Sequence, residues 1–225
     1  MQFQTSLALT ASAAAIAASA ASAAVFSTDN FGVFSAMVAS AGETVGSATF
    51  PTPYISPESV DQSISIGTSY SASVGGVTWT VTASLGGVAQ DVWAFPSNAW
   101  LGAENPGDDS ELVFSFSPGV RAAGGVFFAT LKDWNLPLAN SSSFSVQLAD
   151  GTAFEGVTGS VPGFTGFVSD SADITSISVR VASMSGLTTS DLFPVASSLY
   201  FAVPAPGAFA LLGAIGLVGI GGRRR

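Results

Sequence analysis

Residues 112–131 read LVFSFSPGVRAAGGVFFATL. Leu112, Phe114 and Phe116 alternate with Val113, Ser115 and Ser117, the period of two that sends one face of a strand into a core and the other toward solvent. Pro118-Gly119 reads as a turn, and residues 125–131 read as a further strand. The alternation recurs on both sides. Val77, Trp79 and Val81 alternate with threonines; Phe144, Val146 and Leu148 alternate with Ser145, Gln147 and Ala149. Ile177, Val179 and Val181 follow the same period, as do Leu199, Phe201 and Val203, and residues 164–169 (FTGFVS) add a strand. Gly75-Gly76, Gly86-Gly87, Asp150-Gly151 and Pro162-Gly163 punctuate them, and Asp150-Gly151 between Leu148 and Phe154 is a strong hairpin signal. About nine or ten short strands with regular turns imply an all-β, two-sheet β-sandwich of jelly-roll kind rather than an open barrel. No internal repeat points to a propeller or β-helix. One short helix precedes the strands: Thr28-Asp29-Asn30 caps Phe31, Phe34 and Val38, and Gly42 ends it after about 11 residues.

The chain has 225 residues, room for one domain (25–203) and two terminal segments. Only 9% of residues are charged, against about 25% in ordinary soluble domains. Ser, Thr, Gly and Ala fill the difference, which suits an extracellular β-rich protein with a hydroxyl-covered surface. The net charge is −9, and without Arg223, Arg224 and Arg225 fifteen acids face Arg121, Lys132 and Arg180 alone, −12. Such a body repels phosphate backbones, which excludes nucleic acid as a partner. With neither Cys nor His, there are no disulfides, thiol nucleophiles, cysteine or histidine zinc ligands, or imidazole bases. The core alone must hold the fold.

Residues 1–26, MQFQTSLALTASAAAIAASAASAAVF, carry no charged side chain. Ala21-Ser22-Ala23 is an A-x-A cleavage pattern, so residues 1–24 read as a signal peptide and the mature chain begins at Ala24 or Val25. The n-region departs from the usual form in lacking Lys and Arg. An Ala-rich buried helix is the alternative; the absence of a polar face counts against a surface amphipathic one.

The other end, residues 203–225, is VPAPGAFALLGAIGLVGIGGRRR. Pro204 and Pro206 lack backbone N–H groups and break the preceding strand. Residues 208–222 are uncharged; as a helix they would span about 22 Å, short of a hydrocarbon core of about 30 Å. Gly213, Gly216, Gly219 and Gly222 thin the apolar surface, and the three arginines act as a stop on the cytoplasmic side. This three-part arrangement resembles the PEP-CTERM sorting tail of Gram-negative bacteria, with Val203-Pro204-Ala205-Pro206-Gly207 as the motif and Ala205 where Glu is usual. The resemblance implies that residues 204–225 are a sorting tail with a short transmembrane helix. It implies recognition by an exosortase, a transient stay at the inner membrane, removal or exchange of the tail, and delivery to the cell surface or extracellular matrix. An ordinary C-terminal anchor is the alternative. The order of body segments is also similar, more loosely, to bodies found on PEP-CTERM proteins. Some of these resemble carbohydrate-binding jelly rolls, an analogy at the level of fold alone.

Glu104, Asn105, Asp108, Asp109 and Glu111 form the densest polar cluster, with the oxygen ligands that a structural Ca²⁺ takes, though not at EF-hand spacing; a solvated acidic loop is the alternative. Asp170 and Asp173 are a weaker pair. Glycoside hydrolysis needs only two carboxylates, and Glu43, Glu58, Glu104, Glu111 and Glu155 are available, but nothing in the sequence pairs two of them. No G-x-S-x-G occurs, and no catalytic residue is assigned. Trp93 and Trp100 flank a loop beside the acidic cluster and Trp134 lies in another, so these three are candidate glycan contacts; Trp79 falls on a buried phase. The expectation is a non-enzymatic structural or binding component of the extracellular polysaccharide matrix, with exopolysaccharide as partner. A carbohydrate-binding module, calcium-dependent or not, and a carboxylate-based glycoside hydrolase are the alternatives.

Overall fold

The computed structural model describes residues 24–51, 63–95, 99–131, 138, 142–157, 163–181 and 191–205. The alternating runs all form strands. In chain order the elements are β1 (Val25–Thr28), α1 (Phe31–Ser40), β2 (Glu43–Ser47), β3 (Ile64–Ser65), β4 (Ser69–Val74), β5 (Val77–Leu85), β6 (Val88–Gln90), β7 (Val92–Phe95) and β8 (Trp100–Ala103). There follow β9 (Ser110–Val120), β10 (Ala122–Thr130), β11 (Ser142–Leu148), β12 (Ala153–Val157), β13 (Phe164–Ser169), β14 (Ile174–Val181) and β15 (Phe193–Pro204).

These strands make two antiparallel sheets. The first has the order β1-β13-β10-β15-β8-β7-β3, with β2 pairing the C-terminal half of β15; the second has the order β12-β11-β14-β9-β5-β4, with β6 on β5. From β8 to β15 the strands distribute as β13-β10-β15-β8 in one sheet and β12-β11-β14-β9 in the other. The chain crosses between sheets at Arg121 and again at residues 170–173.

The inner faces meet in one apolar layer. Phe114 and Phe116 of the second sheet pack on Phe127 and Phe201 of the first at centroid distances of 5.9 and 5.5 Å. Phe144 packs on Phe127 and Phe167, each at 5.5 Å. Trp79 is fully buried among Phe50 and Tyr70. Helix α1 starts where Asn30 Oδ1 accepts from the backbone N–H of Gly32 and Val33, and it lays Phe34 and Val38 on the outer face of the first sheet against Ala122 and Ala202.

Two details depart from the sequence expectation. The described residues contain fifteen strand segments rather than nine or ten; the additional ones are short, from two residues in β3 to six in β4. Pro118-Gly119 is not a turn between strands. Strand β9 runs through it, with the register shifting so that Val120 pairs Ile174 after Ser115 pairs Ser176, and the sheet change falls at Arg121.

Candidate functional site

The outer face of the second sheet is a lattice of hydroxyls. Ser69, Thr82, Val113, Ser178, Ser145 and Glu155 stand side by side across six strands. The next row is Ser71, Thr80, Ser115, Ser176, Gln147 and Ala153. Neighbouring hydroxyls bond across strands, Ser71 to Thr80 at 2.7 Å and Ser73 to Thr78 at 2.8 Å. Among the described residues, charge enters this face at one end only. Arg180 places Nε and Nη2 each 3.1 Å from Glu111 Oε1, the Ser178 hydroxyl donates to the same oxygen, and Ser84 Oγ reaches Oε2 at 3.4 Å. Arg180 remains 56% exposed, so its N–H donors not taken by Glu111 are open to solvent. Beside this pair lies a groove of 490 Å³ lined by Ser143, Ser145, Ser178, Arg180, Glu155 and the backbone around Gly156.

A second cavity, of 370 Å³, opens on the other side of β12, between the two sheets. Its floor is Phe144, Phe154 and Phe167, and its rim is Ser27, Thr28, Asp29 and Thr165. The two cavities share Phe144 and Gly156. Gly156 sits opposite Phe144 in the ladder, and without a side chain it leaves the partition between them low.

The residues singled out from sequence are scattered. Glu104 and Asp91 clasp one another: Glu104 N–H donates to Asp91 O at 3.1 Å and Asp91 N–H to Glu104 Oε2 at 3.3 Å. The Asn105 side-chain amide donates to Gln90 Oε1, and Ser110 Oγ to Asn105 O at 2.6 Å. Asp108 and Asp109 lie in the same β8–β9 connection, but Glu111 points onto the outer face toward Arg180. Among the described residues no three acids gather where they could hold a metal ion. Trp93 and Trp100 are not loop residues; they sit in the β7–β8 hairpin, on the outer face of the other sheet. Trp100 packs edge-on against Phe128 at 4.8 Å, and the buried Trp93 indole N–H has no hydrogen-bond partner among the described residues. Both indoles are half-buried, and neither lies near the hydroxyl lattice. Trp134 and Glu58 lie outside the described residues. Glu111 and Glu155, the two glutamates on the lattice face, are three strands apart, about 14 Å at 4.8 Å per strand, wider than the roughly 5–9.5 Å of glycosidase pairs.

The first and last described residues, which adjoin the expected cleavage and sorting segments, lie at one pole. Strand β15 ends at Pro204, which lies opposite Glu43, and Val203 is buried opposite Thr44. Ala24 donates to Asp170 Oδ1 at 3.0 Å and accepts from Asp170 N–H at 3.1 Å. Arg121 donates to Ser169 O through Nε at 3.4 Å and Nη2 at 3.2 Å, and Nη2 also reaches Asp170 O. The Ser171 hydroxyl, and then the Ala24 N–H, hold the Asp170 carboxyl below its ordinary range. Burial pushes the Glu43 carboxyl up; Arg121 opposes this and Asp173 adds to it. Ala205 is the last described residue; Ala21, Ala23, Pro206, Gly207, Arg223, Arg224, Arg225 and the run 208–222 lie outside. No helix among the described residues is long and apolar enough to cross a membrane.

Sequence reasoning missed Asp29, Ser145, Thr165, Gly156, Ser178 and Arg180. Only the polar phase of the strands marked Ser145 and Ser178, and nothing local marked which strands would be neighbours. No protein-family model matches the chain, and neither a characterised protein nor a solved structure does.

Proposed function

We propose that the chain is an exported, surface-sorted β-sandwich of jelly-roll kind that serves as a non-enzymatic component of an extracellular polysaccharide matrix. The strand orders β13-β10-β15-β8 and β12-β11-β14-β9 support the jelly-roll reading, because they interleave consecutive strands between two sheets as two Greek keys do. The observation that carries the sorting reading is the shared pole. Ala24 and Pro204 leave the body at the same end, so a leader and a tail held at one inner membrane lie on one side of the domain. Under this reading an exosortase-type enzyme is the processing partner, the membrane stay is transient, and the product resides at the cell surface or outside the cell.

Replacing Arg223, Arg224 and Arg225 with Ser tests it in a host that carries the sorting machinery. The expected outcome is loss of tail processing and of surface delivery, followed by immunoblot of membrane, surface and medium fractions. Unchanged processing and delivery would sink the sorting reading. Glycan binding is the second reading, and the hydroxyl lattice of the second sheet, not the tryptophans, is what favours it.

A further inference from the structure

We infer that the edge strand β12 carries a binding site for a neutral, hydroxyl-rich glycan chain, formed jointly by the polar groove on its outer side and the phenylalanine-floored slot on its inner side. The inference deepens the matrix reading and rests on it only for the biological setting.

Three features of the geometry lead to this ligand. The slot offers what one face of a pyranose ring requires. Phe154, half-buried at the sheet edge and backed at 6.0 Å by the buried Phe167, gives an apolar surface for ring C–H groups, and the Asp29 carboxylate with the hydroxyls of Ser27, Thr28 and Thr165 stands at the rim. The groove offers a polar complement: the Glu155 carboxylate accepts from sugar hydroxyls, the outward part of the Arg180 fork donates, and Ser143 and Ser145 do either. Gly156 joins them. A chain passing over the sheet edge there meets no side chain of residue 156, only backbone with the Phe154 ring beside it, so adjacent sugar units can occupy both cavities at once.

The charge decides between neutral and acidic glycans. The one cation among the described residues lining the two cavities, Arg180, is already committed to Glu111, whereas Asp29 and Glu155 are carboxylates in a molecule of net charge −9. A uronate would meet repulsion at both ends of the site, while a neutral sugar diol supplies the donors that carboxylates accept.

The test uses the full-length chain, purified in mild detergent, in affinity gels containing barley β-glucan, dextran, galactomannan or alginate. Retention is expected on at least one of the three neutral polymers and not on alginate. Glu155→Gln, an exposed and nearly isosteric change, should weaken retention by about tenfold, the size of a lost charged hydrogen bond. Gly156→Leu should do so by more, whereas Gly156→Ala should bind nearly as the parent, because a Cβ there meets the Phe154 ring at ordinary contact distances of 3.5 and 4.0 Å. A Val88→Ala variant, at an exposed position of β6 remote from both cavities, should retain binding. Near-UV circular dichroism controls for folding, and Glu155→Gln carries the test where Gly156→Leu unfolds. The inference is overturned by no retention on any neutral polymer, by retention on alginate alone, or by equal effects of Glu155→Gln and Val88→Ala. Because binding is measured on purified chain, its failure leaves the sorting experiment untouched, and the reverse holds too.

Discussion

Ala24 and Asp170 hold each other through two hydrogen bonds, one in each direction. If export cleaves the bond between Ala23 and Ala24, the Ala24 nitrogen becomes an ammonium 3.0 Å from the Asp170 carboxylate, and an ordinary hydrogen bond becomes a charge-assisted one. Cleavage one residue later removes it. N-terminal sequencing of the exported chain should therefore begin at Ala24. The folded Asp170 carboxyl lies below its unfolded value, so its contribution is present above the unfolded value near 3.9 and lost as pH falls through the folded one. The ammonium has the opposite sign and loses its contribution as pH rises past about 8. Asp170→Asn should lower the thermal midpoint of the exported chain chiefly between these limits; a deficit equal at all pH values would contradict the pairing. Glu43 runs the other way. Its folded carboxyl is raised, so its favourable contribution is complete below the ordinary glutamate range and lost as pH rises through the raised value. Because the group is partly exposed, solvent screens it. Glu43→Gln should stabilise at pH 7 by less than about 1 kcal/mol and change nothing at pH 3, as read by urea midpoints.

The elements depend on where backbone must approach backbone. Strand β10 packs against a bulge in β15, where Val126 pairs Ser198 and Phe127 pairs Ala196. The Ser198 carbonyl fills the space beside Gly125, where a Cβ would lie 2.2 Å from that oxygen and 2.8 Å from the Phe127 ring. Gly125→Val should cost about 3 kcal/mol or abolish folding, since two central strands must separate; an unchanged urea midpoint would refute this packing. Gly125 was readable only as part of an apolar run, because its partner Ser198 is 73 residues further along. The same divide separates what was legible from what was not. Residues 164–169 were marked by local pattern and form β13 over that same span, and Trp79 was read as core and is fully buried. Strand β7 holds four residues with Trp93 in the outward phase, too short to tell from a loop. Pro118-Gly119 carries a turn composition, yet the ladder resumes at Val120 opposite Ile174. The candidate site was legible in its residue types and not in its assembly: Asp29 reads as a neighbour of a helix cap, and nothing near it signals that β12, more than a hundred residues on, will face it.

For the whole molecule, the decisive relation is that the described chain begins and ends at one pole while the acidic connection of residues 104–109 lies at the other. Asp109 O accepts from Gly86 N–H at 3.1 Å, and Leu85 pairs Ser110, which fixes the β5–β6 turn at the acidic pole. Strands β1 and β15 are separated by β13 and β10, so Ala24 and Ala205 stand three strand spacings apart, about 14 Å. A linker of six glycine and serine residues reaches about 20 Å and spans this without strain. A circular permutant that joins Ala205 to Ala24 in this way, and opens between Gly86 and Gly87, interrupts no sheet ladder and keeps the Gly86 to Asp109 bond. Gly86 and Gly87 have φ of +57° and +79° with nothing within 4 Å of a built Cβ, which marks an open turn. The permutant should keep the parent's near-UV spectrum and a thermal midpoint within about 3 °C, the shift of roughly 1 kcal/mol for a domain of this size. One opened instead between Arg121 and Ala122 should melt far lower, because that point is the crossing between sheets and Arg121 ties it to Ser169. With no disulfide available to hold mismatched pieces together, the comparison reads the fold directly. If neither permutant folds while the linear chain of residues 24–205 does, the ends are not within reach of that linker, and the side-by-side placement of leader and tail on which the export reading depends falls with it.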